Sequence, residues 1–162
     1  MNYSFKDFIP LIVILSLVII VALTKSYMSG TIDSYHLMLN FMGSFFIIFG
    51  TFKIINLQKF AEAYAQYDLI AKRSHLYGMI YPFIELFLGI AYFAQLQLKI
   101  TNIITFVVMT ISAAGVANEL SKGKQITCAC LGALFKIPMT YVTLLEDLLM
   151  AIMAIIIHLM HN

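Results

Sequence analysis

The sequence has few charged residues. They make up 11% of its 162 residues, against about 25% in an ordinary soluble domain. Apolar residues make up 62%, which places the chain among integral membrane proteins and makes the lipid bilayer its surroundings. The net charge is only +2 and there is no run of like charges. We therefore expect no basic surface for a phosphate backbone and no nucleic-acid partner.

The chain also lacks the motifs of the commonest catalytic sites. It has no glycine-rich phosphate loop, no Ser-His-Asp arrangement and no His-Glu-x-x-His motif, so hydrolytic and nucleotide-driven mechanisms have no support. No internal repeat or low-complexity tract is visible. Residues 1–162 are predicted to form one integral-membrane domain.

Five apolar stretches are each about long enough to cross a bilayer as a helix. The predicted spans lie near residues 8–24, 37–55, 76–95, 100–118 and 138–158. We interpret the first as a retained helix and not a signal peptide, because no small-x-small cleavage site follows it. The predicted fold is an all-α polytopic membrane bundle.

The segment 56–74, between the second and third spans, has a helical pattern of its own. Apolar residues recur at helical spacing and polar residues occupy the other side. This pattern predicts an amphipathic helix that lies on the inner leaflet. The apolar positions are Leu57, Phe60, Ala61, Tyr64, Tyr67 and Ala71.

The positive charges are distributed unequally between the two sides of the predicted bundle. If the N-terminus is cytoplasmic, eight of the ten lysine and arginine residues lie inside, and only Lys25 and Lys99 lie outside. This bias predicts a cytoplasmic N-terminus. The eight inside residues are Lys6, Lys53, Lys59, Lys72, Arg73, Lys122, Lys124 and Lys136.

The only two cysteines, Cys128 and Cys130, are one residue apart between the fourth and fifth spans. A disulfide across so small a ring departs from relaxed geometry, so it should be oxidising and easily reduced. The orientation above places the pair in the reducing cytoplasm, which favours transient oxidation over a standing disulfide. Alternatively the thiolates bind a soft metal such as Cu(I), with His75 as the candidate imidazole ligand on that face. In the third interpretation they are merely small, partly buried residues.

Three acidic residues fall inside predicted spans. Counting from the span starts at about 1.5 Å per residue places Glu85 and Glu146 about 12–14 Å deep, with Asp147 next in the chain. Ionisable groups at that depth are functional candidates, or else hydrogen-bonded links between helices. With no lysine or arginine expected at that depth, we predict that at least one is protonated at neutral pH. Because Asp147 is about 100° round the helix from Glu146, we expect only Glu146 to face Glu85.

Several of these residues together resemble a known family. The sequence around Tyr81-Pro82, the stretch Cys128-Ala129-Cys130-Leu131-Gly132 and the segment from Pro138 to Glu146 are similar to the methylamine utilisation MauE family, within the broader MauE/DoxX group of redox-associated membrane proteins. The resemblance implies a multi-pass protein of the bacterial inner membrane. Its namesake role implies help in processing, transporting or maturing a disulfide-rich dehydrogenase subunit. Other members look like partners of heavy-metal handling systems.

Three hypotheses follow for the function. In the first, Cys128 and Cys130 relay thiol–disulfide equivalents to a thioredoxin-like partner or a quinone, with Glu85 and Glu146 as buried acids. In the second, the same cysteines bind and pass on a soft metal ion to a metal-handling protein. In the third, the chain is a non-catalytic assembly subunit. His75, Tyr81, Pro82, Gly132 and Asp147 are predicted to support the site.

Overall fold

A computed structural model describes residues 9–30, 32–123 and 141–161, except for the side chain of residue 142. These residues form six α-helices and contain no strand. Five of the helices are long and apolar enough to cross a membrane, which confirms the predicted all-α polytopic architecture. The helices are α1 (Ile9–Met28), α2 (Ser34–Ile55), α3 (Leu57–Tyr64), α4 (His75–Phe93), α5 (Leu98–Ser121) and α6 (Tyr141–His161).

The long helices run alternately in opposite directions. The short α3 lies at the end of the bundle where α2 and α5 finish and where α4 and α6 begin; we call this the α3 end. At the opposite end, the Lys25 ammonium group donates to the Phe93 carbonyl at 3.0 Å. There, too, the Tyr35 hydroxyl lies 3.0 Å from Nδ1 of His161. The most extensive contacts between helices are those of α5 with α6, α2 with α4, and α1 with α2.

Glycine residues allow α2 and α4 to approach closely. A Cβ atom at Gly89 would lie 3.1 Å from the Gly43 carbonyl oxygen and 3.0 Å from the Ile47 nitrogen. A Cβ atom at Gly50 would lie 3.2 Å from the carbonyl oxygen of Pro82. Such contacts between backbones are typical of membrane helices, which gain little from burying apolar side chains against one another. The close approach brings the polar residues of α2 and α4 within reach of each other.

Asp33 caps the start of α2 outside the apolar span. Its carboxylate accepts a 2.8 Å hydrogen bond from the backbone N–H of His36, an otherwise unpaired donor of the first helical turn. This hydrogen bond lowers the pKa of Asp33 from its ordinary value. The stabilisation is therefore present above the ordinary aspartate pKa and is lost as the pH falls through the lowered one.

The amphipathic pattern of segment 56–74 is confirmed in part. Phe60, Ala61 and Tyr64 are buried, as are Tyr67 and Ala71, but the helix ends at Tyr64 and turns follow it. The apolar side packs on the protein, since a Cβ atom at Gly78 of α4 would lie 3.4 Å from that of Ala61. The predicted amphipathic helix is therefore present between the second and third spans, but it is shorter than the segment 56–74. Periodicity indicates which side is buried but not what covers it.

Candidate functional site

A buried ion pair joins α2 to α4 near the α3 end. The Lys53 ammonium group donates to Oε1 of Glu85, and both side chains are almost fully buried. The other carboxylate oxygen, Oε2, has no hydrogen-bond partner among the described residues. The prediction that no cation lies at the depth of Glu85 was therefore wrong.

Side-chain direction explains how Lys53 reaches Glu85. Lys53 lies two residues before the end of α2, whereas Glu85 lies ten residues into α4. Side chains tilt toward the N-terminus of their own helix. Because α2 and α4 are antiparallel, the long lysine side chain points into the bundle while the glutamate points back toward the α3 end. A depth estimated by counting residues along a span ignores the fact that these two side chains point toward each other.

Aromatic rings enclose the lysine head group. Its Nζ atom lies 5.0 Å from the ring centre of Tyr81 and 5.6 Å from that of Phe60, within the range of cation–π attraction. Tyr64 packs against Tyr81 with ring centres 4.5 Å apart. The helix α3 therefore covers this site, and Tyr81, predicted as a supporting residue, is part of its wall.

Lys53 and Glu85 line a small cavity of about 30 Å³ together with Glu146 and Asp147 of α6. We call this the charged cavity. Asp147 accepts a 2.8 Å hydrogen bond from the Ser112 hydroxyl on α5, and Oε1 of Glu146 is buried with no partner among the described residues. Only Glu146 was expected to face Glu85, but Glu146 and Asp147 both line the cavity. They lie on either side of the line along which α6 faces the bundle. A cavity of this size has room for one or two water molecules.

The turn after α3 is organised around Asp68, which is completely buried. Its carboxylate accepts hydrogen bonds from the Tyr64 hydroxyl at 2.9 Å and from the backbone N–H groups of Ile70 and Ala71 at 2.9 and 2.8 Å. Burial raises the pKa of Tyr64 well above its usual value, so this hydroxyl remains a donor at neutral pH. Tyr67, the preceding residue, is also buried.

We expect Asp68→Asn to destabilise the protein by about 1–3 kcal/mol, because the amide keeps one acceptor oxygen but loses the charge-assisted hydrogen bonds. Unfolding by SDS in mixed micelles, followed by circular dichroism, measures the change. Glu62→Gln makes the corresponding change on the exposed side of α3 and should have little effect. Equal stability of the two variants would show that the Asp68 carboxylate does not organise this turn.

A second buried acid, Glu119 near the end of α5, holds the same turn against the bundle. Its Oε1 atom accepts from the Lys72 ammonium group and from that of Lys122 at 3.2 Å. Sequence reasoning missed this acid because it lies one residue beyond the end of the predicted span 100–118. Its position could have been found, since Met109, Ser112, Val116 and Glu119 recur at helical spacing and all are buried.

The remaining predicted site residues are not brought into the charged cavity. His75 is exposed at the start of α4, and Pro82 is buried inside α4, where it removes one helical hydrogen bond. Cys128, Cys130 and Gly132 lie outside the described residues. Within the described ranges, no group of three or more His, Cys, Asp or Glu side chains could hold a metal ion.

Comparison with protein families tests the resemblance. The family model described as methylamine utilisation protein MauE matches residues 31–160, which is most of the chain. The chain belongs to the MauE family. The matched region of this MauE-family protein begins after α1 and contains the whole charged cavity as well as Cys128 and Cys130. No curated protein and no solved structure matches the chain.

Proposed function

We propose that this MauE-family protein is a membrane thiol–disulfide relay or maturation factor. In this proposal Cys128 and Cys130 exchange redox equivalents with a thioredoxin-like partner, and the acids of the charged cavity take up and release the accompanying protons. The observation that carries the proposal is the grouping of three carboxyl side chains and one ammonium group around one cavity. Groups that can gain or lose a proton are costly inside a membrane bundle and therefore mark a function.

Two acids of the charged cavity lie near the start of α6, the helix that follows the cysteines in the sequence. In the sequence, Cys128 and Cys130 lie between α5, which ends at Ser121, and α6, which begins at Tyr141. Glu146 and Asp147 are in the first two turns of α6, near the α3 end of the bundle. In this proposal, these carboxyl groups accept the protons that the thiols release.

The exchange balances in atoms and electrons. A thiolate of the pair attacks a partner disulfide, which forms a mixed disulfide and releases one partner thiolate. The second cysteine then attacks the mixed disulfide, closing the Cys128–Cys130 bond and releasing the second partner thiolate. Two electrons pass to the partner, whose two thiolates take up the two protons lost by the cysteines. In the reverse direction the pair oxidises a partner dithiol.

We propose that the α3 end faces the bacterial cytoplasm. Exposed cations lie at this end, between α2 and α4 and just after α5, which agrees with the enrichment of lysine and arginine in cytoplasmic loops. A membrane-impermeant maleimide added to intact spheroplasts should then leave both cysteines unlabelled, and labelling before lysis would invert the proposed orientation. The cations are Lys59, Lys72, Arg73 and Lys122.

The acids of the charged cavity should not all be ionised at neutral pH. Among the described residues that line the cavity, three carboxyl groups share the one ammonium group of Lys53, and unbalanced charge is costly in a low-dielectric interior. We expect infrared spectroscopy of the purified protein at neutral pH to show at least one protonated carboxyl group. That absorption should diminish in Glu146→Gln or Asp147→Asn and persist in the exposed control Glu62→Gln. A spectrum without protonated carboxyl groups would remove the proton-handling role.

Mass spectrometry after alkylation tests the chemistry of the cysteines directly. The purified protein is alkylated before and after reduction, with and without Cu(I) and a chelator. We expect Cys128 and Cys130 to be linked to each other or trapped with a partner, with no dependence on the chelator. Two free thiols that bind one soft metal ion, and are then protected from alkylation, would replace the relay by metal handling. Free thiols that bind no metal would indicate an assembly subunit.

A further inference from the structure

The turn between α3 and α4 exposes apolar and cationic side chains next to each other. Leu69 and Ile70 are 43% and 38% exposed, although they follow the completely buried Asp68. Lys72 and Arg73 come shortly after them in the chain, and both are exposed. The carboxylate of Asp68 accepts hydrogen bonds from the backbone of this turn, which fixes its shape. The backbone positions of the four exposed residues are therefore fixed as well.

The contact of this turn with α5 shows how deep the turn lies in the membrane. A Cβ atom at Gly115 would lie 3.1 Å from Cα of Asp68, and Gly115 is six residues, or about 9 Å, from the end of α5. The 24 residues of α5 span about 36 Å, so a hydrocarbon core of about 30 Å centred on this helix stops about 3 Å short of each end. The turn at Asp68 therefore lies about 6 Å inside the hydrocarbon boundary, and Leu69 and Ile70 are at the level of the acyl chains.

Three cations lie closer to the polar head groups. Lys72 and Lys122 donate to the same atom, Oε1 of Glu119, and their side chains are 32% and 47% exposed. Two hydrogen bonds to one oxygen place the two ammonium groups within about 6 Å of each other, and each keeps N–H groups that a ligand can reach. Arg73 has no ion pair within the part of the chain that the structure describes. Three cations and one carboxylate leave two positive charges unbalanced.

We propose that these residues bind an anionic phospholipid. The three cations hold its phosphate group, and its acyl chains lie along the two apolar side chains. The proposal does not depend on the cysteines or on the side of the membrane that the α3 end faces. We call the site the turn patch, and it consists of Leu69, Ile70, Lys72, Arg73 and Lys122.

Charge and depth together favour this ligand over two others. A zwitterionic lipid brings a cation of its own to a site that already has two unbalanced positive charges, whereas an anionic head group gains from each lysine or arginine beside it. A soluble acidic protein can reach cations at the membrane surface, but it cannot reach Leu69 and Ile70 below the hydrocarbon boundary. Only a phospholipid carries its negative charge at the boundary and its apolar chains beneath it.

Native mass spectrometry of the full chain in detergent, with increasing amounts of lipid, tests the proposal. The probes are phosphatidylglycerol, phosphatidylcholine with the same acyl chains, and glycerol phosphate, which has no acyl chain. With two unbalanced charges, we expect phosphatidylglycerol to bind at least about tenfold more tightly than phosphatidylcholine. Glycerol phosphate should not displace it. Equal affinity for the two lipids would overturn the proposal, and displacement by glycerol phosphate would replace it with a site for free phosphate.

Variants locate the bound phosphate. Lys122→Gln removes one exposed cation while Lys72 still pairs with Glu119, and it should weaken phosphatidylglycerol binding about fivefold. Lys99→Gln is the matched control, since it removes an exposed lysine at the opposite end of α5 and should leave the affinity unchanged. Arg73→Gln should also weaken binding about fivefold and provides an independent test if Lys122→Gln does not fold. If both weaken binding no more than Lys99→Gln does, the lipid does not bind at the turn patch.

Discussion

Lys53→Met should destabilise the protein by about 3–5 kcal/mol, because it leaves the buried Glu85 without its cation. The effect should exceed that of Glu85→Gln. After the loss of Glu85, Lys53 still shares the charged cavity with Glu146 and Asp147. After the loss of Lys53, three acids share a cavity in which no described side chain supplies a positive charge. The free energy of unfolding in SDS mixed micelles measures both changes.

The double variant Lys53→Met/Glu85→Gln separates the ion pair from general packing. Because it removes both charges, it should recover at least half of the stability lost in Lys53→Met. Lys59→Met is the matched control, since Lys59 is exposed on α3 and its loss should change stability by less than about 0.5 kcal/mol. If the double variant is no more stable than Lys53→Met, the lysine contributes through its contacts with Phe60 and Tyr81 and not through its charge.

Composition and apolar runs were sufficient to predict the five spans, because a chain with so few charges has no other way to satisfy its backbone in lipid. The span boundaries agree with α1, α2, α4 and α5 to within a few residues. Counting residues from the start of each span did not predict the charged cavity. It assigned Lys53 to the inner membrane surface because that residue lies near the end of a span. It takes no account of side-chain direction, so it could not show that side chains from two antiparallel helices meet.

The information that would have placed Lys53 correctly was present in the helical spacing. On α2, Met42, Phe46, Phe49 and Lys53 recur at intervals of three and four residues, and all four are buried. A lysine that continues an apolar stripe is directed into the bundle and requires an acidic partner.

The same spacing places Glu85 inward on α4, in line with the buried Tyr81, Leu88 and Tyr92. On α6 it favours Asp147, in line with Thr143 and Met150, over Glu146, which the depth argument had favoured. The contacts of Asp68 could not have been predicted in this way. They depend on a turn that packs against α5.

Gly115→Leu should detach the turn between α3 and α4 from α5. A Cβ atom at Gly115 would lie 2.6 Å from the carbonyl oxygen of Tyr67 and 3.1 Å from Cα of Asp68. The backbone of this turn is held by the hydrogen bonds of Asp68, so it cannot move aside without breaking them. Overpacking of this kind costs about 1–3 kcal/mol, and here that cost should appear as local opening of the segment 65–74.

Limited trypsin digestion measures this opening, because Lys72 and Arg73 are exposed cleavage sites within the turn. A loss of about 1.4 kcal/mol in the local opening free energy should speed cleavage about tenfold. Ala117→Leu adds the same side chain at an exposed position of α5 and should leave the rate unchanged. Tyr64 and Tyr67 also line the charged cavity, so an opened turn should admit water to Lys53 and Glu85. If Gly115→Leu is digested no faster than Ala117→Leu, the turn does not depend on close contact with α5 to cover the charged cavity.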